Sequence, residues 1–257
     1  MVWEDQDLVM RSYIDNYIEQ HNNNTFERYL SELRLEKVSN ILNIRNPKRI
    51  LDIGIGLYPV YINYRKYVIY SGIERSKELC NKAFKKSIDA GFKNEYCITS
   101  ITCGDCENDD DLKLACRHSE TYDDIILNSI LHFIKDPKEF LIKLKKYMSK
   151  SCIIYINVPN SKSFHRMLGL YTKDIKDIYE LSDMDIKFGQ INRFCLNTLE
   201  TLVMDCGFSA INKGTFCIKP FPEHQMNKII DRKLFDGLDM LIGVFPSFGC
   251  ELFMEIV

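Results

Sequence analysis

The chain has 257 residues, of which 46% are hydrophobic and 27% charged, and a formal net charge of -2. Such a balance excludes a disordered or fibrous chain and argues against a polyanion-binding surface, so nucleic acid is not an expected partner. The length suits one large α/β domain with insertions, and the longest apolar runs, residues 125–127 and 153–156, are far shorter than the roughly 20 residues that cross a bilayer.

Residues 1–10 carry Glu4, Asp5 and Asp7 with no basic segment before an apolar one, unlike a secretory signal, so a cytoplasmic protein without membrane insertion is expected. Residues 1–46 read as a helical cap in two segments separated by Asn22, Asn23 and Asn24. In the first, Tyr13, Tyr17 and His21 share a face at i, i+4 and i+8, where they can cover a ligand. In the second, Leu30, Leu33, Leu35, Val38, Ile41 and Leu42 recur at near-helical spacing, with Thr25 placed as the cap.

From residue 47 the pattern changes. Short apolar runs at 49–53, 68–73, 97–102, 124–127 and 152–157 alternate with amphipathic stretches, notably 77–90 and 137–148, which predicts a parallel, doubly wound sheet. After Asn157 a polar insertion, about 161–195, precedes a helix at 198–206 that ends on Gly207, a natural C-cap. Two further strand-like runs, 209–219 and 250–257, flank a second insertion at 220–249. The ten cysteines are spread through apolar stretches and read as buried thiols. The one C-x-x-C, Cys103 and Cys106, has no second pair, so no metal is expected.

The chemistry concentrates where strands end. Asp52 is followed by Gly54 and Gly56, which allow a tight turn and close approach of a ligand, while Pro59 stands where a dinucleotide fingerprint needs a small residue. NAD and FAD are thereby disfavoured. Glu74, about 22 residues after Asp52, ends the second run, where a carboxylate can accept both hydrogen bonds of a ribose diol. Gly104, Asp105 and Cys106 follow the third run, Asn128 ends the fourth, Asp136 and Pro137 open a helix, and Val158, Pro159 and Asn160 leave the fifth.

In this order the motifs resemble those of class I S-adenosylmethionine-dependent methyltransferases over about residues 48–257, with a pattern similar to ubiquinone-type and cell-surface-sugar enzymes. Tyr58 stands where many members have a third glycine. The resemblance implies a Rossmann-like seven-stranded sheet, mostly parallel with an antiparallel last strand, in a domain spanning 47–257. It implies S-adenosyl-L-methionine as cofactor and S-adenosyl-L-homocysteine as product, bound by Asp52, Gly54, Gly56, Glu74, Arg75, Asp105, Cys106 and Asn128, with Asp105 on the adenine amino group. His132, in the loop after the fourth strand, is the expected general base, since imidazole titrates near working pH.

The acceptor residues expected beside it are Tyr13, Tyr17, Asn160, His165, Arg166, Arg193 and Lys219, the cations among them suited to an anionic group. The fourth run lacks the Pro-Pro turn of base-directed amino-methyltransferases, so the acceptor is expected to be small: a sugar, nucleotide-sugar or phosphorylated metabolite, methylated on oxygen in preference to nitrogen. A homodimer is the self-assembly considered. The alternative is a non-catalytic subunit supporting a partner enzyme, suggested by the missing third glycine and by Phe133 beside His132.

Overall fold

The computed structural model describes residues 14–15, 17–21, 23–64, 66–89 and 97–257. Seven strands build one sheet: β1 (Arg49–Ile53), β2 (Val68–Glu74), β3 (Cys97–Cys103), β4 (Tyr122–Asn128), β5 (Met148–Pro159), β6 (Ala210–Phe216) and β7 (Glu251–Ile256), in the order β3-β2-β1-β4-β5-β7-β6. The first five pair in parallel. Only β7 reverses, running antiparallel to both β5 and β6, as expected from sequence.

Both faces of the central strands are covered, which is why they read as continuous apolar runs rather than alternating ones. On one face Leu51, Ile53, Leu127 and Ile156 pack with Phe140 and Leu144 of α4 (Pro137–Leu144) and Leu199 and Val203 of α7 (Leu196–Asp205). On the other, Ile50, Tyr70 and Ile126 pack with Leu35, Val38 and Leu42 of α1 (Phe26–Arg45). Between these lie α2 (Lys77–Asp89), α3 (Asp109–Ala115), α5 (Phe164–Thr172) and α6 (Asp183–Lys187), followed after β6 by α8 (Glu223–Met226) and α9 (Arg232–Met240).

The helix α1 therefore does more than cap. Thr25 Oγ1 accepts from the Arg28 N–H at 3.2 Å and starts it, and Asn46, in left-handed backbone at φ 55, ends it. Its second half belongs to the sheet layer. Its first half, through Phe26, Tyr29 and Leu30, packs against Met226, Ile230, Phe235 and Leu238 of the second insertion. The first insertion also holds helices, α5 and α6, where the sequence reads as irregular. The second of them, only five residues long, is too short to show a helical period, and its clearest local signal is the capping box of Ser182 with Asp185.

Gly249 closes the second insertion onto β7. A Cβ there would lie 2.6 Å from the backbone N and O of Phe216 and from Thr215 Oγ1, atoms that cannot step aside without moving β6. Gly249→Ala should lower stability by about 1–3 kcal/mol in urea unfolding, the range for overpacked sites. Unchanged stability would mean that this return is slack.

Candidate functional site

In the sheet order β1 and β4 are neighbours whose following connections depart to opposite sides, which opens a crevice at their carboxyl ends. The turn after β1 fills one wall. Gly54 and Gly56 both adopt left-handed backbone, at φ 75 and 55, and the Gly54 N–H donates to the Ile73 carbonyl at 2.9 Å. A Cβ on Gly54 would meet Ile130 at 3.0 Å, and one on Gly56 would meet Tyr17 Oη at 3.0 Å. Tyr17, Arg34, Gly54, Gly56, Asn128 and Ser129 line one pocket here. Tyr58, in the place of a third glycine, lines it too, with its ring 5.8 Å from that of His21.

Asp52 braces the turn from beneath. It is 1% exposed, and its Oδ2 accepts from the Val60 N–H at 3.1 Å and the Tyr70 hydroxyl at 2.6 Å. Burial pushes its pKa up to about 6 against the pull of those two bonds. Glu74 reaches the turn directly: Oε2 accepts from the Gly56 N–H at 3.0 Å and Oε1 from the Ser76 N–H at 2.9 Å. Burial raises its pKa while these N–H groups oppose the rise. Each oxygen retains a lone pair that a ribose diol can use.

Arg75 is exposed, its Nε 4.0 Å from Asp105 Oδ2. Asp105 shapes its own turn, with Oδ1 accepting from the Glu107 N–H at 2.9 Å. Burial, then the neighbouring Asp105 charge, pushes the Cys106 thiol up to about 12. At the end of β4, Asn128 Oδ1 is buried with no hydrogen-bond partner among the described residues.

His132 lies in a short 3-10 turn, Leu131–Phe133, and is 4% exposed. Its carbonyl accepts from the N–H groups of Ile191 and Asn192, at 3.1 and 3.0 Å, so the end of the first insertion is tied to it. Its Nδ1 is buried and unpartnered among the described residues. Burial first, then the charges of Arg34 and Arg193, push its pKa down to about 3, with Asp185 opposing. The ring is neutral at any working pH.

The structure spends most of the expected acceptor residues on architecture. Tyr13 lies outside the described residues. Asn160 donates to the carbonyls of Gly249 and Ser247 at 2.8 and 3.3 Å and accepts from the Lys162 N–H at 2.9 Å, joining the two insertions. Arg166 donates to the carbonyls of Ile178 and Glu180, at 3.0 and 2.7 Å, and Arg193 pairs with Asp185. Lys219 sits 4.0 Å from Glu223 and 5.3 Å over the Phe26 ring. His165 Nδ1 is 3.2 Å from Ser163 Oγ, and burial, then Lys219, holds its pKa well below the usual value.

A buried polar network beside the pocket escapes the sequence reading. Arg34 Nη1 donates to Glu27 and Nη2 to Glu251, both at 2.7 Å, and Asn157 Nδ2 donates to the other Glu251 oxygen at 2.9 Å. Ser31 Oγ bonds Glu27 at 3.1 Å and lies 3.0 Å from His21 Nε2, while His21 Nδ1 donates to the Tyr17 carbonyl. One signal for it exists: Leu30, Arg34 and Val38 are successive i+4 positions, which sets an arginine on an apolar stripe.

No family model and no curated protein matches this chain. Solved structures do. A SAM-dependent methyltransferase from Thermotoga maritima, described as a possible histamine N-methyltransferase, is 15% identical over 96% of this chain and 97% of its own, with a TM-score of 0.58. The plantazolicin methyltransferase BamL, in complex with a triazolic desmethylPZN analog and SAH, is 20% identical over 98% of each chain, with a TM-score of 0.56. A SAM-dependent methyltransferase from Archaeoglobus fulgidus is 14% identical over 86% of this chain and 93% of its own, with a TM-score of 0.51. The fold is that of S-adenosylmethionine-dependent methyltransferases.

The buried neutral histidine has a measurable signature. A histidine whose folded pKa lies below its unfolded value of about 6.5 costs stability as pH falls through that unfolded value, because the unfolded chain then binds the proton the folded one refuses. Relative to His132→Gln, the wild type should lose about 1.4 kcal/mol between pH 7.5 and 5.5. Parallel stability curves for the two proteins in urea would place the ring in contact with solvent.

Proposed function

We propose that the chain transfers a methyl group from S-adenosylmethionine to a small polar acceptor. The observation that carries this is the 3.0 Å bond from the Gly56 N–H to Glu74 Oε2, which closes the turn of β1 onto the carboxylate ending β2. That clasp sets the ribose-reading acid against the glycine turn of a cleft whose lining also includes Asn128, with its unpartnered Oδ1. These groups suit the cofactor, with Asp52 stiffening the turn, Arg75 and Asp105 at the adenine end, and Tyr17 over Gly56.

When bound, the cofactor supplies an electrophilic methyl group on a sulfonium, so the residues of this chain need only align a nucleophile, exclude water and manage one proton. His132 is unprotonated and its Nδ1 has no partner among the described residues, so it can accept a hydrogen bond from an acceptor hydroxyl or amine. A base this weak orients the nucleophile and shares the proton only late in transfer, when the acceptor has become strongly acidic. Because Arg166 and Arg193 are already paired, an uncharged acceptor of sugar size, methylated on oxygen, is favoured over a phosphorylated one. The two insertions, which close on each other through Asn160, define who enters.

Glu74→Ala should weaken S-adenosylhomocysteine binding by about 1.5–3 kcal/mol in calorimetry, the worth of two lost hydrogen bonds. Unchanged affinity would remove Glu74 from the site. His132→Ala should keep that affinity and lower turnover about 10²- to 10⁴-fold. In the wild type, kcat/KM should show no acid limb near pH 6.5. A limb there that vanishes in His132→Ala would contradict the neutral ring.

A further inference from the structure

We infer that the joint outer face of the two insertions seats on an anionic lipid surface, with apolar side chains entering the headgroup boundary and lysines at the rim meeting lipid phosphates. Nothing in this depends on the cofactor reading. On α5, Phe164, Leu168 and Tyr171 recur at i, i+4 and i+7, and all three are exposed, Tyr171 to 79%. Beside them the second insertion presents Val244, 67% exposed, with Phe245 and Phe248. The two sets are continuous: the Phe164 and Phe245 rings meet edge to face at 6.4 Å, and the Phe164 N–H donates to the Phe248 carbonyl at 3.0 Å. No residue from 240 to 250 is charged. An exposed apolar run of that kind works against solubility unless a partner covers it.

Two properties of this face choose lipid. Its backbone needs no water: the carbonyls of residues 245–248 accept, in order, from the Phe248 N–H at 3.1 Å, Thr215 Oγ1 at 2.8 Å, Asn160 Nδ2 at 3.3 Å and the Phe164 N–H at 3.0 Å. A bare carbonyl is costly in a medium that cannot hydrogen-bond, so a loop satisfied from inside can enter one. Its rim is cationic. Lys162 and Lys173 bracket α5, both exposed and with no carboxylate between them in sequence, while Asp174, the next one, accepts from the Thr172 hydroxyl at 2.6 Å. A two-fold dimer through this face would bring the lysines of one copy toward those of the other, whereas an anionic bilayer meets them all at once. The whole chain carries a net charge of -2, so attraction to such a surface has to come from this local arrangement. No helix among the described residues is long and apolar enough to cross a membrane, and the seat is superficial.

Flotation with vesicles of phosphatidylcholine alone, and of phosphatidylcholine mixed with phosphatidylglycerol, tests the seat at low and high salt. The chain should float with the mixed vesicles at low salt, less at high salt, and stay unbound with the neutral ones. Lys162→Gln combined with Lys173→Gln should weaken binding to the mixed vesicles about ten- to thirtyfold. Tyr171→Ser combined with Val244→Ser, both at exposed positions, should weaken it at least about tenfold, and each double variant should keep the wild-type melting temperature. Absence of flotation with the mixed vesicles, equal binding to the neutral ones, or binding that neither double variant alters overturns the inference. Light scattering that shows a wild-type dimer, dissociated by Tyr171→Ser with Val244→Ser and never floating, assigns the face to a second copy of the chain instead.

Discussion

A guanidinium removed from water must be paired, and Arg34 is paired twice, with Glu27 on its own helix and Glu251 at the start of β7. Breaking one side of such a buried pair costs about 3–5 kcal/mol, so α1 is tied in one position over the carboxyl edge of the sheet. Much follows from that anchor. It sets the first half of α1 against the second insertion, brings Ser31 and His21 into one hydrogen-bonded chain, and through the His21 contact with the Tyr17 carbonyl fixes the segment that covers Gly56. Asn157, bonded to the same Glu251, extends the network to the end of β5. One ion triad thus links the cover, the glycine turn and the floor beside β4.

The same triad sets the electrostatics around His132, where the proposed chemical step would take place. His132 lies within range of Arg34 and Arg193, and both charges, added to burial, make an imidazolium costly there. A cationic cofactor alongside would increase that cost. Catalysis in such a place cannot lean on a strong base, so alignment and exclusion of water must supply most of the rate, as they can where the leaving group is already activated. On the proposed reading the insertion backbone that bonds the His132 carbonyl belongs to the site, because it holds that residue from behind.

What was legible in the sequence was local. A glycine turn, a carboxylate at a strand end and an Asp-Pro before a helix are written within a few residues of one another, and the strands carrying them announce themselves by burial on both faces. The parallel pairing of the first five strands and the left-handed turn at Gly54 and Gly56 follow from such signals, while the seven strands and the reversed last one were implied by the family resemblance. The pairing of charges did not. Arg34 meets Glu251 across a separation of 217 residues, and nothing near either one names the other. Arg166 and Arg193 looked like free cations for the same reason: their partners, two carbonyls and Asp185, belong to an insertion whose path depends on the whole cap. Asp52 matched its motif, yet its burial turned it into a brace, a distinction carried by Tyr70 on the neighbouring strand.

That distinction bears on what the proposed site would accept. A cation already bonded to a carboxylate in a buried site can bind an anionic ligand only by surrendering its partner, and the stranded carboxylate then costs more than the new bond returns. Among the described residues three cations around the cap stand beside carboxylates: Arg34 with Glu27 and Glu251, Arg193 with Asp185, Lys219 near Glu223. The buried atoms left without partners there are mostly neutral ones, on Asn128, His132, Asn157 and Ser161, together with single atoms of Arg34, Arg193 and Glu223. On the proposed reading, a site of that kind would select by the placement of hydrogen-bond donors and acceptors rather than by charge. It favours a molecule whose hydroxyl or amine groups must each find a fixed partner, since every group left unmet in a desolvated site counts against the wrong ligand.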